Sequence, residues 1–194
     1  MSDAAAAAAT QQPAAVDRLA QAEKQAAVVL KTEPHACFGC GEINEAGLHL
    51  ELHLEPGCCW TELVIPDRFQ GWEGVVHGGV LSTILDEVMS WSLIERDSWG
   101  VTARLSVDFK QPVFVGRRVR AVGRVVEDRR RIVATAGSIL DAETGTELVA
   151  AQGTFVIVNA ARKRELEARY GDLASARRSG ARATDGIPPA VERP

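Results

Sequence analysis

The sequence predicts an α+β domain in which one antiparallel sheet faces a single long helix. Three observations predict it. Residues Gly78 to Ile94 are apolar around nearly the whole circumference of a helix, so that helix is buried. Four strand-like runs with short connections follow Gly100, which favours an antiparallel meander. Ahead of the helix, Leu48, Leu50, Leu52 and Leu54 alternate with His49, Glu51, His53 and Glu55, the pattern of a strand with one dry face.

The elements follow in order. Met1 to Gln12 is an alanine run of low complexity. Ala14 to Lys31 carries Val16, Leu19, Ala27 and Leu30 on loosely helical spacing and predicts a peripheral helix, which Pro34 ends. A glycine-rich loop, His35 to Gly41, leads to the leucine strand. Pro56-Gly57 is a turn, and Cys58 to Ile65 returns as the second arm of a hairpin, closed by Pro66. A loop with Phe69, Trp72 and two glycines reaches the helix. Beyond Gly100, Val101 to Phe109, Arg118 to Val125, Ile132 to Leu140 and Leu148 to Val158 are the four strands. Ala161 to Tyr170 suits a short charged helix, and Gly171 to Pro194 is a polar tail rich in Arg, Ala, Gly and Pro. Three regions result: an extension over 1–33, a packed domain over 34–160, and a charged, disordered tail over 161–194.

Bulk properties narrow the functional classes. The chain has 194 residues, 46% of them hydrophobic, enough for a real core. A net charge of −4 gives no reason to expect nucleic acid or an anionic membrane. No apolar run approaches the length of a membrane span. The N-terminus lacks the basic and apolar regions of a secretory signal. Cys58 and Cys59 are adjacent and point to opposite faces of a strand, so they make no disulfide with each other. A reducing cytoplasm is the expected compartment.

The chemistry concentrates in Gly74 to Glu87. His77-Gly78-Gly79 opens the buried helix, where free backbone N–H groups favour an anion or oxyanion. Asp86 and Glu87 then appear mid-helix, and carboxylates are not buried without a partner or a purpose. Thr83, Asp86, Glu87 and Ser90 fall within an arc of about 100°. Donors beside a carboxylate suggest acyl chemistry. Cys37-x-x-Cys40 with His35 invites a zinc reading, but it lacks a second such pair, so no metal is expected. His49 and His53 are expected at the surface. Trp72 and Trp91 suit an acyl pocket or the core equally well.

The motifs Phe69-Gln70-Gly71, Val76-His77-Gly78-Gly79, Asp86-Glu87 and Val107-Asp108-Phe109 with Pro112 and Gly116 resemble those of the hotdog-fold acyl-CoA thioesterases, in particular the phenylacetate-pathway (PaaI-type) branch. Cys37-Phe38-Gly39-Cys40-Gly41 with Asn44 and Gly47-Leu48 is similar to the N-terminal segment of one subgroup. The resemblance spans Pro34 to Val158. It implies a sheet wrapped round the helix, and a homodimer or homotetramer with active sites between subunits. It implies an acyl-CoA substrate and no cofactor beyond the coenzyme A of that substrate. It implies Gly78 as oxyanion donor, Gly79 as a possible second donor, His77 as the turn-former beside the thioester, and Asp86 as general base or nucleophile. Ser90 matches a position that orients water or the carboxylate in some members. Gly71 stands where some members carry Asn, with Gln70 beside it as the candidate substitute and Trp72 next in the loop.

Glu87 is the less favoured acid, expected to pair with an Arg across the subunit interface or to hold the loop near Gly71. Of seven arginines between Arg117 and Arg131, Arg129, Arg130 and Arg131 at a hairpin tip are the candidates for the phosphates of coenzyme A. The alternative function is a non-catalytic acyl-CoA-binding or regulatory protein. A hydratase on the same fold is a third class, and its motif context is not evident here.

Overall fold

A computed structural model describes residues 27–171. Its sheet has seven strands: β1 (Val28–Val29), β2 (His53–Glu55), β3 (Cys58–Val64), β4 (Gly100–Phe109), β5 (Arg118–Arg129), β6 (Ile132–Asp141) and β7 (Glu147–Ile157). They lie in the order β1-β2-β3-β5-β6-β7-β4, and every neighbouring pair is antiparallel. Helix α1 (Gly78–Trp91) lies against this sheet, and α2 (Ala160–Tyr170) follows the last strand. The expected antiparallel sheet around one buried helix is present.

Helix α1 buries Leu81, Ile84, Leu85, Val88, Met89 and Trp91. Opposite them stand Val119, Ala121, Val133, Ile139, Val149 and Phe155 from the sheet. Each fully buried aliphatic side chain contributes roughly 1.5–3 kcal/mol. The helix approaches β5 closely because position 123 is glycine. A Cβ there would lie 2.4 Å from the carbonyl carbon and oxygen of Val88. Backbone cannot yield as a side-chain tip can. Gly123→Ala is therefore expected to destabilise by about 3 kcal/mol, the upper part of the overpacking range, seen as a lower urea midpoint.

Four sequence expectations change. Val28–Val29 is a strand paired to β2, so the helix predicted over Ala14 to Lys31 does not reach its end; the rest of that segment lies outside the described residues. The leucine strand shortens to His53–Glu55. Leu50, Leu52 and Leu54 still face the core, but His49 has φ 52°, and the Leu48 and Leu50 amides bond to the carbonyls of Phe38 and Gly39 in the cysteine loop. A neighbouring loop has taken the backbone partners that a strand would have taken. His53 is not a free surface residue, because its ring stacks on Trp60 with centroids 4.0 Å apart. The long helix passes at Ser92 into a 3-10 turn, and Asp97 in the left-handed region ends it.

Helix α2 confirms the charged helix within 161–194 and starts at Ala160, with Asn159 capping it through Arg162 N–H. That much of the region predicted as a disordered tail is ordered, and residues 172–194 lie outside the described region. Tyr170 packs on His35 and Trp99, and Arg169 donates to the Pro34 carbonyl. The packed unit thus includes β1 and α2, on either side of the 34–160 core. Among the described residues no helix is long and apolar enough to cross a membrane.

Candidate active site

The turn at the mouth of α1 is built by His77. Its backbone is extended, and its Nδ1 accepts a hydrogen bond from Gly79 N–H at 2.9 Å. Histidine here does the work of an N-cap. Its own amide bonds Phe69 O, and Gly71 lies against its ring, which ties the Gln70–Val76 loop to the helix start. The cap has a consequence for the glycine pair. The Gly79 amide is occupied by His77, whereas Gly78 N–H, at the first helical position, has no intrahelical acceptor. The expected second donor is thus a capped amide, and Gly78 alone offers a free N–H. A Cβ on Gly78 would sit 3.3 Å from Phe109 Cζ, so the end of β4 lies over the helix N-terminus.

Asp86 is half-buried, and its Oδ1 accepts a hydrogen bond from Thr102 Oγ1 at 2.7 Å. Burial raises its pKa above the usual carboxylate range, and the Thr102 hydroxyl pulls part of the way back. Strict alternation along β4 would have placed Thr102 on the outer face with Arg104 and Ser106. The register slips between Thr102 and Arg104, leaving Ala103 unpaired. Thr102 is therefore opposite Phe155, and Leu105 is opposite Gly153, both on the helix side. A β-bulge has re-aimed one hydroxyl at the acid. No sequence signal marks the bulge, and Thr102 was not among the expected site residues.

Glu87 points elsewhere. Cys37 Sγ donates to its Oε1 at 3.1 Å and Trp91 Nε1 to its Oε2 at 3.0 Å, with Gly39 packed against its side chain. Burial pushes its pKa up to about 7. It holds a loop, as expected of it, but that loop is the cysteine loop rather than the one at Gly71, and its partners are a thiol and an indole rather than an Arg. Asp86 is the acid that faces β4. Ser90 follows it by one turn on the same stripe.

The outer candidates do not converge on this centre within one chain. Gln70 Oε1 accepts from Gly74 N–H, so it braces its own loop. Trp72 is 87% exposed and so not core, while Trp91 is core. Arg129, Arg130 and Arg131 stand at the β5–β6 tip, exposed, with Arg129 paired to Glu127 and neighbouring Asp128 bonded to Arg96 beyond the C-terminal end of α1. That is the end opposite Gly78. Gly78 and Asp86 are themselves eight residues apart, about 12 Å along the helix axis. One thioester carbon cannot touch both within a single chain, since reacting groups must approach to about 3–3.5 Å.

Residues 73–148, which carry the His77 turn, Asp86, strands β4 to β6 and the start of β7, match the sequence model of the Thioesterase superfamily. This stretch of the chain is similar to the thioesterase superfamily. Solved structures carry the same hotdog fold. A thioesterase superfamily protein of 24% identity aligns over 76% of this chain and 86% of its own, with a TM-score of 0.60. Zebrafish thioesterase superfamily member 2 aligns at 16% identity over 59% and 89%, with a TM-score of 0.54. A hypothetical thioesterase from Streptococcus pneumoniae, crystallised with coenzyme A, aligns at 20% identity over 53% and 80%, with a TM-score of 0.51. No curated protein matches the sequence. The superfamily match excludes the extensions, and the cysteine loop also lies ahead of it.

Proposed function

We propose that this protein is a thioesterase-superfamily member that hydrolyses acyl-CoA thioesters at sites shared between two copies of the chain. The observation that carries the reading is the disposition of two groups along β4: a free Gly78 amide under Phe109 at one end, and Asp86 held by Thr102 at the other. Among the described residues β4 is the last strand of the sheet and pairs only with β7. It is ten residues long, has no proline, and exposes Val101 and Phe109. Such an edge is a template for another strand. Pairing two β4 edges antiparallel around a twofold axis sets each copy's Gly78 end beside the other's Asp86 end. The 12 Å separation within one chain then ceases to matter.

At such a site the Gly78 amide and the positive end of α1 would stabilise the oxyanion. Asp86 would activate water or attack the carbonyl itself. Thiolate leaves without a general acid, so the short residue list is sufficient. His77 fixes the turn, and Ser90 orients water or the acid. The same twofold axis carries the partner's Gly78 toward the Gly100 end of β4. The Arg129–Arg131 tip, through Arg131 O and Ile157, lies at that end too, where it suits coenzyme A phosphates. The motifs resemble those of the PaaI-type branch, which supports that reading, and four free cysteines are in keeping with a reducing cytoplasm.

The test is a panel of aromatic and aliphatic acyl-CoAs with free-thiol detection, corrected for the protein's own cysteines. Turnover of at least one is expected. Binding without turnover would mean an acyl-CoA-binding protein instead. Gly78→Pro probes the donor directly. Proline is at home at the first helical position, and extended His77 is a compatible predecessor. The variant should keep its helix and lose about 10²–10³ in kcat. Gly78→Ala, which keeps the amide and needs only a slight shift of the exposed Phe109 ring, should retain most activity.

A further inference from the structure

We propose that Cys37, Cys40 and Glu87 form a divalent-metal site whose chemistry selects zinc, with a fourth position open to water. The further ligand weighed from sequence was His35, whereas Glu87 is 50 residues from Cys37 and lies on another element. Folding brings one ligand atom from each of the three residues within 4.8 Å of one another. Ligands of a tetrahedral zinc ion, with Zn–S near 2.3 Å and Zn–O near 2.1 Å, stand about 3.6–3.8 Å apart, so the cluster needs only small adjustment.

The surroundings are those of a prepared site. Gly41 N–H bonds Cys37 O at 3.0 Å and closes the Cys-x-x-Cys-Gly turn. A Cβ on Gly41 would meet the backbone of Cys37 and His35 at 2.3–2.5 Å, and one on Gly39 would meet the Glu87 side chain at 2.4–2.6 Å. Only glycine fits at either place. The Glu87 oxygen not facing Cys37 is fixed by Trp91 Nε1, the outer-shell bond that orients a metal-binding carboxylate. Two thiols and a carboxylate packed together repel once ionised, and a dication neutralises them. Sulfur ligands select zinc over magnesium or calcium.

Both ring nitrogens of His35 are engaged, by Cys37 N–H and by Thr32 Oγ1, so water takes the fourth position. Glu87 faces away from the β4 edge, so the ion would staple the loop to α1 without entering the hydrolysis.

The experiment uses the full chain, expressed with added zinc, purified under reducing conditions and desalted without chelator. Elemental analysis is expected to find one zinc per chain. Exchange with cobalt(II) should give tetrahedral visible bands and a near-ultraviolet charge-transfer band with the intensity of two thiolates. Cys40→Ser and Glu87→Gln should each weaken zinc binding by about tenfold or more in competition with a chromogenic chelator. Cys58→Ser should leave it unchanged. A wild-type chain that takes up neither zinc nor cobalt overturns the proposal. So does a Cys37–Cys40 disulfide, two hydrogens lighter, in the protein purified this way. None of these readouts uses thioester turnover, so the metal site and the hydrolase reading stand or fall separately.

Discussion

Asp86→Asn is expected to lower kcat by about 10²–10⁴ while leaving KM within a few-fold, since a general base acts on the transition state rather than on substrate binding. The amide oxygen of Asn can still accept the Thr102 hydroxyl, so the local structure survives. The pH profile separates the loss of a base from a general disturbance. Asp86 must be ionised to accept a proton, so wild-type kcat falls as pH drops through its pKa. Burial raises that pKa, so the acidic limb should lie above the ordinary carboxylate range and be absent from the variant. Stability should move the other way. A carboxyl whose folded pKa is raised costs the fold stability once pH exceeds that pKa, and Asn removes the cost. A dead variant that melts no lower than wild type near neutral pH is the expected result. If Asp86→Asn keeps full rate while Glu87→Gln loses it, the acid has been misassigned.

Mixing two inactive variants is expected to restore activity. Gly78→Pro lacks the oxyanion donor and Asp86→Asn lacks the base. If each site takes its donor from one chain and its acid from the other, a heterodimer of the two carries one intact site and one doubly damaged site. Statistical exchange from equal amounts makes half the dimers mixed, so roughly a quarter of wild-type activity should return from a near-zero background. Sites confined to one chain would give no recovery. The measurement is thioesterase rate against mixing ratio after subunit exchange, with a maximum expected at equal amounts. Sedimentation of the wild type must show at least a dimer, and a monomer that turns over acyl-CoA would defeat the shared-site reading.

Periodicity made most of the fold legible before any coordinates. The apolar circumference of α1 and the alternating runs after Gly100 are direct prints of burial on a helix and on a sheet face. The motif around His77 and Asp86 lies in the stretch that matches the thioesterase superfamily. What escaped were features set by partners distant in sequence. The backbone of Leu48 and Leu50 bonds the cysteine loop, so alternating burial arises there without a strand. Thr102 reaches Asp86 because of a register slip, and a slip leaves the composition of a strand unchanged. Glu87 meets Cys37 across 50 residues, and nothing local to either residue announces the other.

The close approach of Gly123 to Val88 fixes how near α1 stands to the sheet, and it leaves rotation about the helix axis to be settled by something else. Two consecutive acids settle it. Asp86 is tethered to Thr102 on one side, and Glu87 is tethered to the cysteine loop on another, about 100° round the axis. A turn of the helix that tightened one tether would stretch the other, so the pair sets its azimuth as two guy-ropes set a mast. The direction in which Asp86 presents its carboxylate therefore depends on a loop that stands outside the stretch similar to the superfamily. Loosening that loop should broaden the carboxylate's angular distribution long before it unfolds the domain.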